Sequence, residues 1–423
     1  MITESFLHFL WQTLRFSVQQ LQTTTGESVQ ILKQGKLNAN AGPDFLEARI
    51  RIGEVEWAGA IEIHLAADDW FSHQHHHNPA YNQVILHIVW ETGKQQAIRN
   101  DGSIIPELKI QDYISPELIE KWLRLEKSQT EIVCSSFLTA VPVFYRKSWL
   151  ERLAIQRLIR KADPGREVTS QPDWDELLWK KVAGAIGGPV NREMFELLAE
   201  KVSFSVIRSI SDQIISTEAL ILGVAGWLEK ESLSEEALPW KREWEYLSNK
   251  YQLSAYPSFQ FRQHRMRPAS FPLVRMIQLA SFARTFPRPS ELISKPKLLR
   301  KPWQEGSAYW KTNRDFGKPG KAIPITLSQN AIEIILINAI YPVSVLYFHH
   351  SQQESNAEKM LEELQKMKPE SNQITKRFQD IGWKPDSALE SQAMIELYKN
   401  FCENKKCLQC EIGNQILKTE KKN

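Results

Sequence analysis

Six of the ten histidines, His64, His73, His75, His76, His77 and His87, fall within 24 residues, together with Glu62, Asp68 and Asp69. Imidazole and carboxylate are the donors that divalent metals use. Glu62 and His64 stand two apart in an alternating run, so an extended backbone points both to one face, as a shared metal or water requires. Gly42-Pro43-Asp44 enters the preceding run, and a hairpin between the two brings Asp44 toward the far end of the second, near His64. Register opens a second possibility. Pairing Leu46 with Ile63 and Ala48 with Ile61 sets Glu47 opposite Glu62 and turns Asp44 away, which makes the cluster Glu47, Glu62 and His64. A bulge at Gly42-Pro43 would free Asp44 from that parity. His73 follows Asp69 by four residues, one helical turn, so His64, His73 and Asp69 form a rival zinc set. His87, between Leu86 and Ile88 in an apolar run, reads as a hydrogen-bonded core residue, and His75 to His77 as either ligands or a solvated loop.

The four cysteines supply a second kind of donor. Cys402-x4-Cys407-x2-Cys410 offers three thiolates and Cys134 is the remaining one, so a four-thiolate zinc site would join distant parts of the chain; the competing reading is reduced cysteines buried without metal. Arg262, His264, Arg265, Arg267 and Arg275, interleaved with Phe259, Phe261 and Phe271, could grip a phosphate backbone of DNA or RNA and stack on bases, or could flank a solvated helix. Gly184 to Gly188 lacks the Lys-Ser/Thr of a phosphate loop.

These residues need elements to hold them. Phe6, Leu7, Leu10, Trp11 and Leu14 recur at helical spacing; Ser28 to Leu32, Phe45 to Ile52 and Trp57 to Leu65 read as strands, the last two as a hairpin; one or two helical turns then precede Val84 to Trp90, apolar on both faces as a central strand. The predicted order is α, β, β, β, short α, β. From Ser115 the periodicity is helical, with proline-marked joints and no constant repeat. At 423 residues the chain suits two or three domains, drawn at 1–114 (α/β, small mixed sheet), 115–350 (mostly α-helical) and 351–423 (a charged helix and the cysteine segment). With 42% apolar and 24% charged residues it reads as a soluble globular protein, and a net charge of +3 implies no polyanion by itself. Ala331 to Phe348 is broken by Glu333, Asn338 and Pro342 and reads as a buried helix, so no membrane span is expected. The start lacks a basic leader, and few cysteines suit a reducing cytoplasm.

Pro43-Asp44, a hairpin, then Glu62-Ile63-His64 within that element order resembles the PD-(D/E)xK restriction-endonuclease-like superfamily. The resemblance implies that Asp44 and Glu62 bind Mg or Mn, which activates water for phosphodiester cleavage; His64 stands where that superfamily has a lysine that orients or polarises the nucleophile. Cysteine sites in some nucleases of that superfamily hold an iron–sulfur cluster, the alternative to zinc here. The segments NAGPDFLEARI, GAIEIHLAADDWFSHQHHH, YNQVILHIVW, RPASFPLVRMIQLA and FCENKKCLQCEIG are similar to a bacterial family, domain of unknown function 2851, which implies no reaction. The expected function is therefore a metal-dependent nuclease or phosphodiesterase, using Asp44, Glu62 and His64 with Arg262, Arg265 and Arg267 toward nucleic acid. The alternatives are a zinc hydrolase and a non-catalytic nucleic-acid-binding or scaffold protein.

Overall fold

The structure is a computed structural model and describes residues 1–162, 172–230, 233–263, 270–319 and 327–418. Contacts divide the chain into two compact units. The first comprises 1–150, 376–383 and 395–423; the second comprises 151–375 and 384–394. This division differs from the three consecutive segments drawn on the sequence, because packing and not chain order decides what folds together.

The first unit opens with α1 (Glu4–Thr13), whose N-terminus is capped by the Thr3 side chain accepting the Phe6 N–H. Its apolar stripe Phe6, Leu7, Leu10 and Trp11 is fully buried. There follow β1 (Leu21–Gln22), β2 (Ser28–Lys33), β3 (Lys36–Leu37), β4 (Phe45–Ile52), β5 (Val55–Ala66), the single turn α2 (Asp69–Ser72), β6 (Val84–Glu91) and β7 (Glu107–Lys109). The expected order is present, with β1, β3 and β7 as short additions. The sheet runs β1-β2-β4-β5-β6-β7, with β3 also on β4. Its first pairings are antiparallel, while β5–β6 and β6–β7 are parallel. Every residue of β6 except Glu91 is buried, which is what a strand flanked on both edges and covered on both faces demands. Beside the sheet, Ala60, Trp70, Tyr81, Val84, Ala97 and Ile105 form a small core.

Close approach at one glycine is needed for the β5–β6 contact: a Cβ on Gly59 would lie 2.3 Å from the Gln83 carbonyl oxygen and 2.6 Å from Ile85 Cγ2. Gly59→Ala is therefore expected to destabilise the protein by about 1–3 kcal/mol through overpacking. The measurement is a lower urea midpoint at constant slope, and an unmoved midpoint would mean that β6 gives way freely.

The second unit is helical. A long element of it, Trp174–Lys201, is two helices joined at Gly188, which has φ 67°, with Pro189 after it. Further helices are Ile214–Val224, Leu238–Tyr251, Pro272–Thr285 and Glu354–Lys366. Buried Glu218 is satisfied by the indole N–H groups of Trp240 (2.8 Å) and Trp310 (2.9 Å) and by the Ser307 N–H (2.7 Å), a structural use of a carboxylate. The run Gln329–His350 is long and apolar enough to cross a bilayer, and 67% of its most apolar window is buried inside the protein.

Candidate metal centre

The site is built by the hairpin between β4 and β5. Near its turn the register is regular, with Ile52 facing Val55 and Ile50 facing Trp57. Farther along, Ala48 faces Gly59 but Phe45 faces Ile61, so one extra residue is accommodated in β4. That bulge falls at Leu46 and Glu47, two consecutive exposed residues, with Glu47 in the left-handed region at φ 59°. The apolar pairing of Leu46 with Ile63 and Ala48 with Ile61 is therefore not adopted, and the bulge lies three residues beyond Gly42-Pro43. Glu47 points to solvent and pairs with Lys33 (3.3 Å) and Lys36 (2.9 Å), which removes the cluster Glu47, Glu62 and His64.

With that register Asp44 and Glu62 meet. The Asp44 N–H donates to Glu62 Oε2 at 3.1 Å, and the Ile63 N–H donates to Asp44 Oδ2 at 3.0 Å. From α1, His8 Nε2 lies 3.1 Å from the same Asp44 oxygen. Period-two alternation brings His64 to the face of Glu62, with His64 Nε2 at 3.5 Å from Glu62 Oε1. A third group arrives from the β5–β6 crossover. There, Gln74 at φ 59° starts a tight turn, His75–His77, that sends His75 back against Tyr81, ring centroids 3.8 Å apart. His75 Nε2 is also 3.5 Å from Glu62 Oε1. Donor atoms of His64, His73 and His75 lie within 4.8 Å of one another. Asp69, the acid of the rival zinc set, has its Oδ2 on the Ala66 N–H (3.2 Å) at the start of α2.

Parallel pairing supplies a row behind this cluster. Glu62 faces His87, and His87 faces Glu107. His64 Nδ1 and His87 Nε2 are hydrogen-bonded at 2.9 Å, so His87 is the bonded core histidine that the sequence suggested. His87 Nδ1 and Glu107 Oε2 stand 3.8 Å apart, both buried and without another hydrogen-bond partner among the described residues. For His64 Nε2 to offer a lone pair toward Glu62 and His75, its Nδ1 must carry the hydrogen and donate to His87. The His87 hydrogen then sits on Nδ1, facing Glu107. Buried Trp70 packs its ring against those of His64, His75 and His87.

Burial governs the charges. Glu62 is 5% exposed, and burial, reinforced by the Asp44 carboxylate, pushes its pKa up to about 9. Burial and the neighbouring imidazoles push His64 and His75 down to about 4, and burial takes His87 well below its ordinary value. Glu107 rises to about 6, again through burial first and Asp68 second. At neutral pH the metal-free cluster is a protonated Glu62 among neutral imidazoles, so a divalent ion would have to displace the Glu62 proton and would find the imidazole lone pairs free.

The donor set fits a first-row transition ion. Donors about 2.1 Å from a tetrahedral ion lie about 3.4 Å apart, close to both Glu62–histidine spacings. Neutral imidazole suits zinc, cobalt or manganese better than magnesium, whose preferred partners are oxygens. The His73 donor lies within 4.8 Å of those of His64 and His75, and Asp44 adjoins Glu62 through its backbone N–H.

Elsewhere, Cys134, Cys402, Cys407 and Cys410 line one cavity within the first unit. Arg262 lies in the second unit, exposed, with its backbone N–H on Asn191 Oδ1 (2.9 Å). Arg265 and Arg267 lie outside the described residues. His8 and Glu107 were not legible as site residues. His87 carried a signal, since an ionisable group inside an apolar strand must find a polar partner.

A family model described as "Protein of unknown function (DUF2851)" matches residues 4–373. That match takes in Asp44 to Glu107 and Cys134 but ends before the three clustered cysteines. No curated protein and no solved structure matches the chain.

Proposed function

We propose that this chain, which belongs to the DUF2851 family of proteins of unknown function, is a metal-dependent phosphodiester hydrolase whose centre is Glu62, His64 and His75 beside Asp44. The observation that carries this reading is the Asp44–Glu62 pair, in which the Asp44 N–H donates to the Glu62 carboxylate and the Ile63 N–H to the Asp44 carboxylate, with two imidazole nitrogens 3.5 Å from one Glu62 oxygen. A bound divalent ion would supply Lewis acidity toward a phosphoryl oxygen and water. Glu62 would give up its proton on binding it. His64, oriented by His87, holds one nitrogen toward the centre, and His75 is braced by Tyr81. Asp44, half-buried and still reachable by water, is the group placed to accept a proton from an attacking water. DNA or RNA is the proposed substrate class, with Arg262 as a described candidate contact.

The test is hydrolysis of bis(p-nitrophenyl) phosphate, plasmid DNA, single-stranded DNA and RNA with manganese, cobalt, zinc or magnesium. Manganese or cobalt is expected to support faster turnover than magnesium, and His75→Ala to lose about 100-fold or more. Stoichiometric metal at the histidines with no hydrolysis anywhere in the panel would leave a binding or scaffold protein.

The grouping of His64, His73 and His75 within 4.8 Å favours a second reading, a zinc hydrolase with His75 in the place expected for Asp69. That reading requires exposed His73 as a ligand. His73→Ala then abolishes activity, ester or amide substrates are cleaved, and phosphodiesters are not.

A further inference from the structure

Every cysteine of this 423-residue chain lines the same cavity: Cys134 from the loop before one short helical turn, Cys402 from the end of a helix, and Cys407 and Cys410 from the loop after it. The cavity is about 20 Å³, enclosed further by Phe378, Trp383 and Phe401. One buried free cysteine needs no explanation, since the thiol behaves as a small apolar group. Convergence of all four, from positions separated by as many as 276 residues (410 − 134), is a different matter. All four are free, so disulfide formation does not explain it.

We propose that Cys134, Cys402, Cys407 and Cys410 form a four-thiolate metal centre, a site separate from the histidine cluster and built to fasten the cysteine segment to the loop that carries Cys134 within the first unit. Burial keeps the thiols protonated in the metal-free chain, and two features of the local sequence and backbone favour a shared centre. Cys407 and Cys410 have the two-residue spacing in which adjacent thiolates share one centre. Gly413 closes the loop on itself: a Cβ there would lie 2.0 Å from the Cys407 carbonyl oxygen, so only glycine lets the helix start approach the cysteine turn this closely. Ligation releases the thiol protons to solvent. The chemistry is shared by a single zinc ion and by an iron–sulfur cluster, and the two are distinguished by what is bound.

The experiment is metal and acid-labile sulfide analysis of full-length protein purified without oxygen, with absorption spectra before and after exchange with cobalt. Metal-free protein is also reconstituted separately with zinc and with iron plus sulfide. One equivalent of zinc, giving thiolate-to-cobalt charge-transfer bands after exchange, or iron with labile sulfide and a visible chromophore, supports the centre. Metal with thiolate charge-transfer bands or labile sulfide should persist in Glu62→Gln and fall at least tenfold in Cys407→Ser and in Cys410→Ser. Should those variants fail to fold, wild-type protein still decides through its thiols, which resist alkylation until a chelator is added if they are ligated. A protein that carries no metal, takes up none on either reconstitution and exposes four reactive thiols without chelator overturns the proposal. The cobalt–thiolate bands report this site and not the histidines, so failure here leaves the hydrolase reading standing, and the converse holds.

Discussion

Glu62→Gln is expected to abolish hydrolysis while making the metal-free protein more stable. The carboxyl is buried, and its pKa lies near 9 in the folded chain against about 4.5 unfolded. A group whose folded pKa is raised contributes stability that is complete below the unfolded value and is lost as pH climbs toward the folded one. At pH 7 the unfolded chain ionises freely and the folded chain does not, an opposition on the order of 3 kcal/mol. Glutamine keeps the shape and removes the titration. The variant should therefore gain on wild type by about 1.4 kcal/mol for each pH unit between roughly 5 and 9, read as urea midpoints in chelator. Activity should drop at least 100-fold, because the amide cannot replace the anionic ligand. A stability difference that does not change with pH would mean that Glu62 is already ionised in the metal-free fold, and the account of a site waiting for a cation would fail.

Acid should unfold the metal-free protein through the same cluster. His64 and His75 are held near pKa 4 and His87 well below its ordinary value, all first by burial. These folded pKa values are depressed, so their contribution is complete above about 6.5 and is lost as pH falls toward 4. The groups that face them are Glu62, Glu107, Asp44, Asp69 and His73. Glu62 and Glu107, with raised values, act in the opposite direction below pH 6, but three imidazoles outweigh two carboxyls. Stability is expected to peak near pH 6.5 and to fall by several kcal/mol at pH 4.5. His75→Asn should flatten the acid limb, and saturating zinc or manganese should raise the whole curve near neutrality by preferential binding to the folded state. An acid limb identical in wild type and His75→Asn would show that His75 is solvated and takes no part.

Several elements were legible because their signal is local. Alternation in Phe45 to Ile52 and Trp57 to Leu65 marked β4 and β5, and the doubly apolar Val84 to Trp90 marked a central strand. The same local rule placed Glu62 and His64 on one face. Leu46 shows where the rule stops: it continues the alternation of Ala48, Ile50 and Ile52 yet is exposed, since the bulge beside it changes the parity. Alternation within a strand carries no information on which partner residue it faces. The short pairing of Asn313–Asp315 with Lys318–Pro319 offered no apolar pattern to detect.

By itself, the sequence determined the donors, their density, the parity of Glu62 and His64, and the kind of element that carries each. Tertiary structure alone decided that Asp44 and not Glu47 meets Glu62, that His87 and Glu107 stand behind His64, that His75 closes the cluster, and that four cysteines share a cavity. The reason is physical. Periodicity is a property of neighbours along the chain, but register across a bulge, parallel strand order and the return of a distant segment are set by packing between residues far apart in it.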